Sequence, residues 1–206
     1  RQAIGPRPRH LIRCAAMKPA TPDLLTDRRA FDGPTFSLSN RLRRLAWQLC
    51  WLLLARWTPP QARLWRLALL KAFGAQVSWR ANVYPSVKIW APWHLEMAPM
   101  AALAPRVEVY NIAPISIGEK AIVSQGAYLC TGTHDHRDPA FPLYARPIQI
   151  GRRAWVCAEA FVGPGVIVGE GAVLAARGVS FKPLAAWTVY QGNPATAVNT
   201  RPPQAD

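Results

Sequence analysis

The residue types best suited to chemistry crowd into one stretch, "TGTHDHRDPAFPLYARPIQIG", residues 131–151, where His134 and His136 stand two apart with Asp135 and Asp138 beside them. Histidine is the side chain best matched to general-base work near neutral pH, and a neighbouring carboxylate or backbone carbonyl can orient its ring. His134 fits the base, with Asp135, Asp138 or a carbonyl as orienter, and His136 fits a loop residue or a substrate contact. A metal would need three or four converging ligands. The chain has only four histidines, and its cysteines, Cys14, Cys50, Cys130 and Cys157, form no CxxC pair. Neither a zinc ribbon nor a dithiol redox centre follows, no metal is expected, and a reducing cytoplasm suits the thiols best.

What positions these residues is a repeat that begins at Val77. Aliphatic residues or Met recur every six positions at Val77, Val83 and Ile89, then Met97, Leu103 and Val109, then Ile117, Val123 and Leu129; the series resumes at Ile150, Val156, Val162, Val168 and Leu174. A small or β-branched residue follows most of them by four: Ala81, Val87, Ala101, Val107, Ala121, Ala127, Ala154, Ala160, Val166, Ala172. Six suits neither a helix nor one long strand, so each repeat must supply a short extended side and a corner, and three sides close a triangular coil. Ile89 to Met97 and Val109 to Ile117 each span eight residues, so one corner carries a two-residue insertion. The histidine stretch leaves from that corner one coil later, as a loop over 135–149 grown from the edge of a solenoid, where additions spare the stacked interior. His94 and His134 then fall on equivalent corners two strand spacings of about 4.8 Å apart, too far to share one metal within a chain.

Before the repeat the chain reads differently. Residues 1–36 lack periodicity and form a mobile basic lead-in; "RQAIGPRPRHLIRCAA" precedes Met17 and reads as lying upstream of the natural start. Residues 37–74 form a helical segment: Ser37 or Ser39 caps a first helix that Pro59 and Pro60 stop, and a second runs from about Gln61 to Phe73, ended by Gly74. Two readings of these helices stay open. They pack their Leu and Trp faces on the rest of the protein, or they form an interfacial anchor with Trp47, Trp51, Trp57 and Trp65 at headgroup depth and Arg41, Arg43, Arg44, Arg63 and Arg66 facing anionic lipid. The apolar run Leu45–Ala55 is too short to span a bilayer. Residues 75–198 hold the β-helix and 199–206 a tail.

The formal charge of +14 is unevenly placed: residues 1–80 hold 15 Lys and Arg against 3 acids, residues 81–206 hold 10 against 8. The nearly neutral larger part is no phosphate-binding surface, which argues against nucleic acid and leaves any electrostatic partner to the N-terminal third.

The repeat resembles the hexapeptide-repeat acyltransferases, whose fold is mainly β, a left-handed parallel β-helix. "FSLSNRLRRLAWQL", "VYPSVKIWAPWHLEM", "SQGAYLCTGTHDHRDPAF", "AWVCAEAFVGPGVIVGEGAVLAARGV" and "WTVYQGNPA" are similar to the colanic-acid-biosynthesis acetyltransferase branch, over about residues 35–198. The resemblance implies a homotrimer that binds acetyl-CoA in clefts between neighbouring β-helices and O-acetylates a sugar hydroxyl of an exopolysaccharide or its lipid-linked precursor, without an acyl-enzyme. It implies a cytoplasmic enzyme, peripheral on the inner face of the membrane if the helices dock there. By the same resemblance His134 matches the catalytic base and Asn111 lies near an acceptor-contacting asparagine. Trp155 lines the acetyl-CoA cleft, and the Ala158 N–H faces the thioester oxygen. Ala176 meets the pantetheine arm and Lys182 the nucleotide phosphates, while Arg177 stands where many relatives have Gly. "MAPMAALAPR" lacks the usual Gly-Asp corners and "SFKPLAAW" replaces a Val-Thr-Lys-Asp turn. The alternatives are a non-catalytic β-helix scaffold and a zinc enzyme of the γ-type carbonic anhydrase kind.

Overall fold

A computed structural model describes residues 35–203. The expected lead-in up to residue 34, the reading of Met17 as the start and the last three residues of the tail lie outside the described residues.

From Gln76 the chain coils into a three-faced parallel β-helix. The first face stacks Gln76–Val77, Leu95–Met97, Ile115–Ile117, Ile148–Ile150 and Ile167–Val168; the second stacks Asn82–Val83, Ala102–Leu103, Ile122–Val123, Trp155–Val156 and Val173–Leu174; the third stacks Lys88–Ile89, Glu108–Tyr110, Tyr128–Cys130, Phe161–Val162 and Val179–Ser180. The register places Val77, Met97, Ile117, Ile150 and Val168 in one column, and the aliphatics of the other faces stack likewise. Every aliphatic of the six-residue series is at most 6% exposed, and the small residues four positions on are at most 1% exposed. The interior is thus a set of stacked columns whose size is set by that pairing. An antiparallel pair, Thr188–Gln191 with Thr196–Thr200, extends the second face at the C-terminal end.

The helices close the other end. Helix α1, Leu38–Leu54, starts where the Ser37 hydroxyl accepts from the Asn40 N–H (3.2 Å). Helix α2, Arg63–Ala72, ends with the amides of Gly74 and Ala75 bonded back to the carbonyls of Lys71 and Leu70, and Gly74 takes the left-handed φ of 93° that this motif needs. Along the faces, carbonyls of each coil accept from amides of the coil before, as in Tyr84 N–H to Leu103 O and Trp90 N–H to Val109 O. The first coil has no such predecessor, and its carbonyls need other donors. Side chains of the helices supply them. Arg63 donates to Trp79 O and Ala81 O, Arg66 Nε to Val83 O (2.7 Å), and Trp47 Nε1 to Ile89 O (2.8 Å).

This corrects the anchor reading in its detail. Trp47, Trp51 and Arg66 are buried and Arg63 is committed to the first coil, while Arg43 and Arg44 lie over the rings of Trp93 and Trp90. The sequence pattern misleads because α1 is apolar on both sides: its leucines face outward and its Trp47 and Trp51 inward, whereas Trp57 and Trp65, beyond α1, are exposed as that reading had them. No helix among the described residues is long and apolar enough to cross a membrane.

Candidate active site

His134 stands on a hairpin that leaves the edge between the third and first faces. Thr131 anchors its base: buried, its hydroxyl donates to Tyr110 O (2.9 Å) and accepts from Ala113 N–H (3.1 Å). Gly132 follows, where a Cβ would come within 2.7 Å of Ile112 and 3.1 Å of the Tyr110 ring. Gly132–His134 then pairs antiparallel with Leu143–Ala145, and the chain rejoins the coil at Ile148. The excursion therefore begins and ends a few residues before 135–149, because the antiparallel ladder takes up the chain on both sides of the turn.

The turn holds the imidazole. The ring of His134 stacks on that of Phe141 at 4.4 Å and 9°, and Nδ1 lies 2.9 Å from the Phe141 carbonyl oxygen. A carbonyl only accepts, so Nδ1 carries a proton, and in the neutral ring Nε2 keeps its lone pair for an incoming one. Neither aspartate orients the ring by these bonds. Asp135 accepts from the Arg137 N–H and Asp138 from the Ala140 N–H, both shaping the turn that presents Phe141. His136 is exposed beyond them. A main-chain carbonyl carries no residue signature, which is why Phe141 was not among the expected site residues.

Asn111 is fully buried and spends its amide on one neighbour, donating to Ala91 O (2.6 Å) and accepting from Ala91 N–H (2.9 Å). It splices two coils together. His94 ends the turn Pro92–His94, with Nδ1 3.2 Å from Asn111 O. The register pairs Leu95 with Ile115 and Ile115 with Ile148, so prolines, not His134, stand below His94. No cluster of three His, Cys, Asp or Glu suited to a metal occurs among the described residues.

The remaining expected residues lie elsewhere on the prism. Trp155 projects from the second face, 44% exposed, its Nε1 donating to Ser124 Oγ (2.8 Å), with Ile122 and Val173 as ladder neighbours. The corner after it carries Ala158, whose carbonyl accepts from Arg177 N–H. The Ala158 amide makes no hydrogen bond among the described residues. One coil on, Ala176 is exposed and Arg177 pairs with Glu159 (2.7 Å). That bond raises the guanidinium pKa, but a pair this exposed is readily exchanged for another anion. Arg177 and Glu159 both adopt left-handed φ, 58° each, where Gly would be unstrained. Lys182 is exposed past the third face, in a turn fixed by Ser180 Oγ bonding its carbonyl and amide. Trp155, Ala158, Ala176 and Arg177 are thus brought together beside one edge, and His134 rises from a different edge of the same chain.

Cys130 and Cys157 are half-buried, and burial raises both thiol pKa values. Neither is poised as a thiolate at neutral pH. A concavity of about 390 Å³ between α1 and the third face is lined by Trp47, Trp51, Trp90 and Tyr110 and by none of the expected site residues.

No protein-family model matches the chain. It is 38% identical over 166 residues, 81% of this chain and 91% of the relative, to an Escherichia coli K12 protein described as "Putative colanic acid biosynthesis acetyltransferase WcaF". Among solved structures it resembles a maltose O-acetyltransferase from Clostridium difficile 630, with a TM-score of 0.72, 19% identity and coverage of 81% of this chain and 90% of that one. It also resembles a hexapeptide-repeat acetyltransferase from Vibrio cholerae complexed with acetyl coenzyme A, with a TM-score of 0.69, 21% identity and coverage of 80% and 88%. The coil is the left-handed parallel β-helix of these proteins.

Proposed function

Since the chain belongs to the hexapeptide-repeat acetyltransferase family, alongside the colanic acid relative it matches over 91% of that protein's length, we propose that it transfers acetyl from acetyl-CoA to a hydroxyl of a saccharide in exopolysaccharide synthesis. The observation that carries the mechanism is the bond from His134 Nδ1 to the Phe141 carbonyl, which leaves Nε2 as a base. Nε2 takes the acceptor hydroxyl proton as that oxygen bonds to the thioester carbonyl carbon. The carbon–sulfur bond then breaks, and the imidazolium returns the proton to the departing CoA thiolate. An amide that makes no hydrogen bond among the described residues, such as Ala158 N–H, suits the oxyanion, a role that needs no particular side chain. The enzyme works in the cytoplasm, where its donor is made, on a free or lipid-linked acceptor near the inner face of the membrane. Incubating purified protein with labelled acetyl-CoA and a panel of free, nucleotide-linked and lipid-linked saccharides tests the reading. Label confined to free acetate with every acceptor would overturn it.

The two-edge arrangement supports a site completed by a second copy. Base and oxyanion donor sit on different edges of one prism, so the hairpin of one chain would meet the Trp155 and Ala158 edge of the next. Repeated cyclically, such a head-to-tail contact closes a ring, and three copies make the homotrimer that the family resemblance implies. Light scattering should give the mass of three chains; a monomer that retains full turnover would contradict this.

Direct transfer also predicts that the thiols are dispensable. Cys130→Ser and Cys157→Ser should each keep turnover within about threefold, since protonated, half-buried thiols are poor nucleophiles. Trapping labelled acetyl on either cysteine after acid quench would instead establish an acyl-enzyme.

A further inference from the structure

Helix α1 is apolar on two opposite sides. Trp47, Trp51 and Ala55 are buried on the coil, while Leu38, Leu42, Leu45, Leu49, Leu52 and Leu53 form an outward stripe between 48 and 70% exposed. At the helical period these six fall within an arc of about 100°, where the surface helix of a globular protein carries polar residues. Trp57, 81% exposed, follows the end of the helix, and α2 adds Leu64 and Trp65, about half exposed. The charge along this segment has one sign: residues 35–95 contain nine Lys and Arg and no Asp or Glu, and Glu108, across the concavity beside α1, is paired with Lys88. Some of these cations serve the fold, but Arg41 and Arg56 remain exposed at the two ends of the stripe.

We propose that this face of α1 docks on an anionic phospholipid bilayer, lying flat with the leucines at the acyl boundary and the arginines among the headgroups. A helix of 17 residues, about 25 Å long, presents its apolar side in plane and does not cross. The 4-3-4-3 leucine spacing would also suit a helix of a second copy. Such pairing would press two predominantly cationic helices together, whereas anionic headgroups attract the same face. Docking would hold the active site close to a lipid-linked acceptor; that consequence rests on the acetyl-transfer reading, while the docking itself does not.

The test is co-sedimentation of the full chain with vesicles of phosphatidylglycerol and phosphatidylethanolamine, against pure phosphatidylcholine, at low salt. Wild-type protein should bind the anionic vesicles preferentially. Leu45→Gln with Leu49→Gln, which changes no charge and no buried contact, should weaken binding at least about tenfold while oligomer mass and melting temperature hold. Binding untouched by the leucine pair would mean that basic segments act alone and would overturn the proposal, as would absence of wild-type binding. A fall in solution mass in the leucine variant without vesicles would assign the stripe to a contact between copies instead.

Discussion

Turnover should fall by about 10²–10⁴ when His134 is replaced by alanine, the usual contribution of a positioned general base, with assembly and acetyl-CoA affinity nearly unchanged. Both halves of the expectation come from the hairpin. The imidazole is exposed and touches the fold through its stack on Phe141 and one bond to that residue's carbonyl. Its loss costs little stability, because the turn keeps its own bonds through Asp135 and Asp138. The rate loss should appear in kcat. His136→Ala removes an exposed ring with no assigned proton and should act weakly, mainly on acceptor KM. Equal losses in the two variants would point to a folding role for the loop, and an active His134→Ala enzyme would remove this mechanism.

How much of this was legible beforehand depends on whether side chains or main chain carry the feature. The coil was readable because its columns repeat one chemical requirement every six residues, and Val77, Met97, Ile117, Ile150 and Val168 stack as the spacing demands. His134 was readable as a rare residue at the one break in that monotony. The group that orients it was not, since any residue at position 141 offers a carbonyl; the nearby aspartates drew attention because their side chains are conspicuous, yet they build the turn. The structural part of Asn111 was hidden for a related reason. A polar side chain at a coil corner looks like a contact for a ligand, and here it replaces a backbone pairing with Ala91. In α1 the binary pattern failed because both faces are apolar and periodicity has no means of ranking tryptophan against leucine for burial. Trp47 wins the inner face through a hydrogen bond that leucine lacks, to Ile89 O.

The basic excess of the N-terminal third holds a second consequence, and it predicts the largest loss of stability. Arg66 is 0% exposed and has no acidic partner among the described residues; its guanidinium instead donates to Val83 O, Pro59 O, Pro60 O and Thr58 Oγ1 at 2.7 to 2.9 Å. It joins an otherwise unpaired carbonyl of the first coil to the Pro59–Pro60 turn between the helices, so one side chain both seals the solenoid and sets the angle of its cap. Replacing it by methionine keeps most of the volume, strands the Val83 carbonyl in the buried interior and takes a charged donor from the part-buried Thr58, Pro59 and Pro60 acceptors. Bonds from a charged donor contribute about 1.5–3 kcal/mol each and do not add in full, so the loss should be at least about 3 kcal/mol. For a chain of this size that lowers the melting temperature by roughly 6–12 °C. Arg66→Lys should recover only part of it, because an ammonium lacks the planar fork that reaches the helix turn and the coil together. Arg63→Met, which removes a bond to the half-exposed Trp79 and a longer one to Ala81, should cost about 1 kcal/mol. Thermal unfolding of the three variants gives the ordering directly. Melting of Arg66→Met within about 2 °C of wild type would mean that water serves the first-coil carbonyls, and that the helices are held by Trp47 and its apolar neighbours alone.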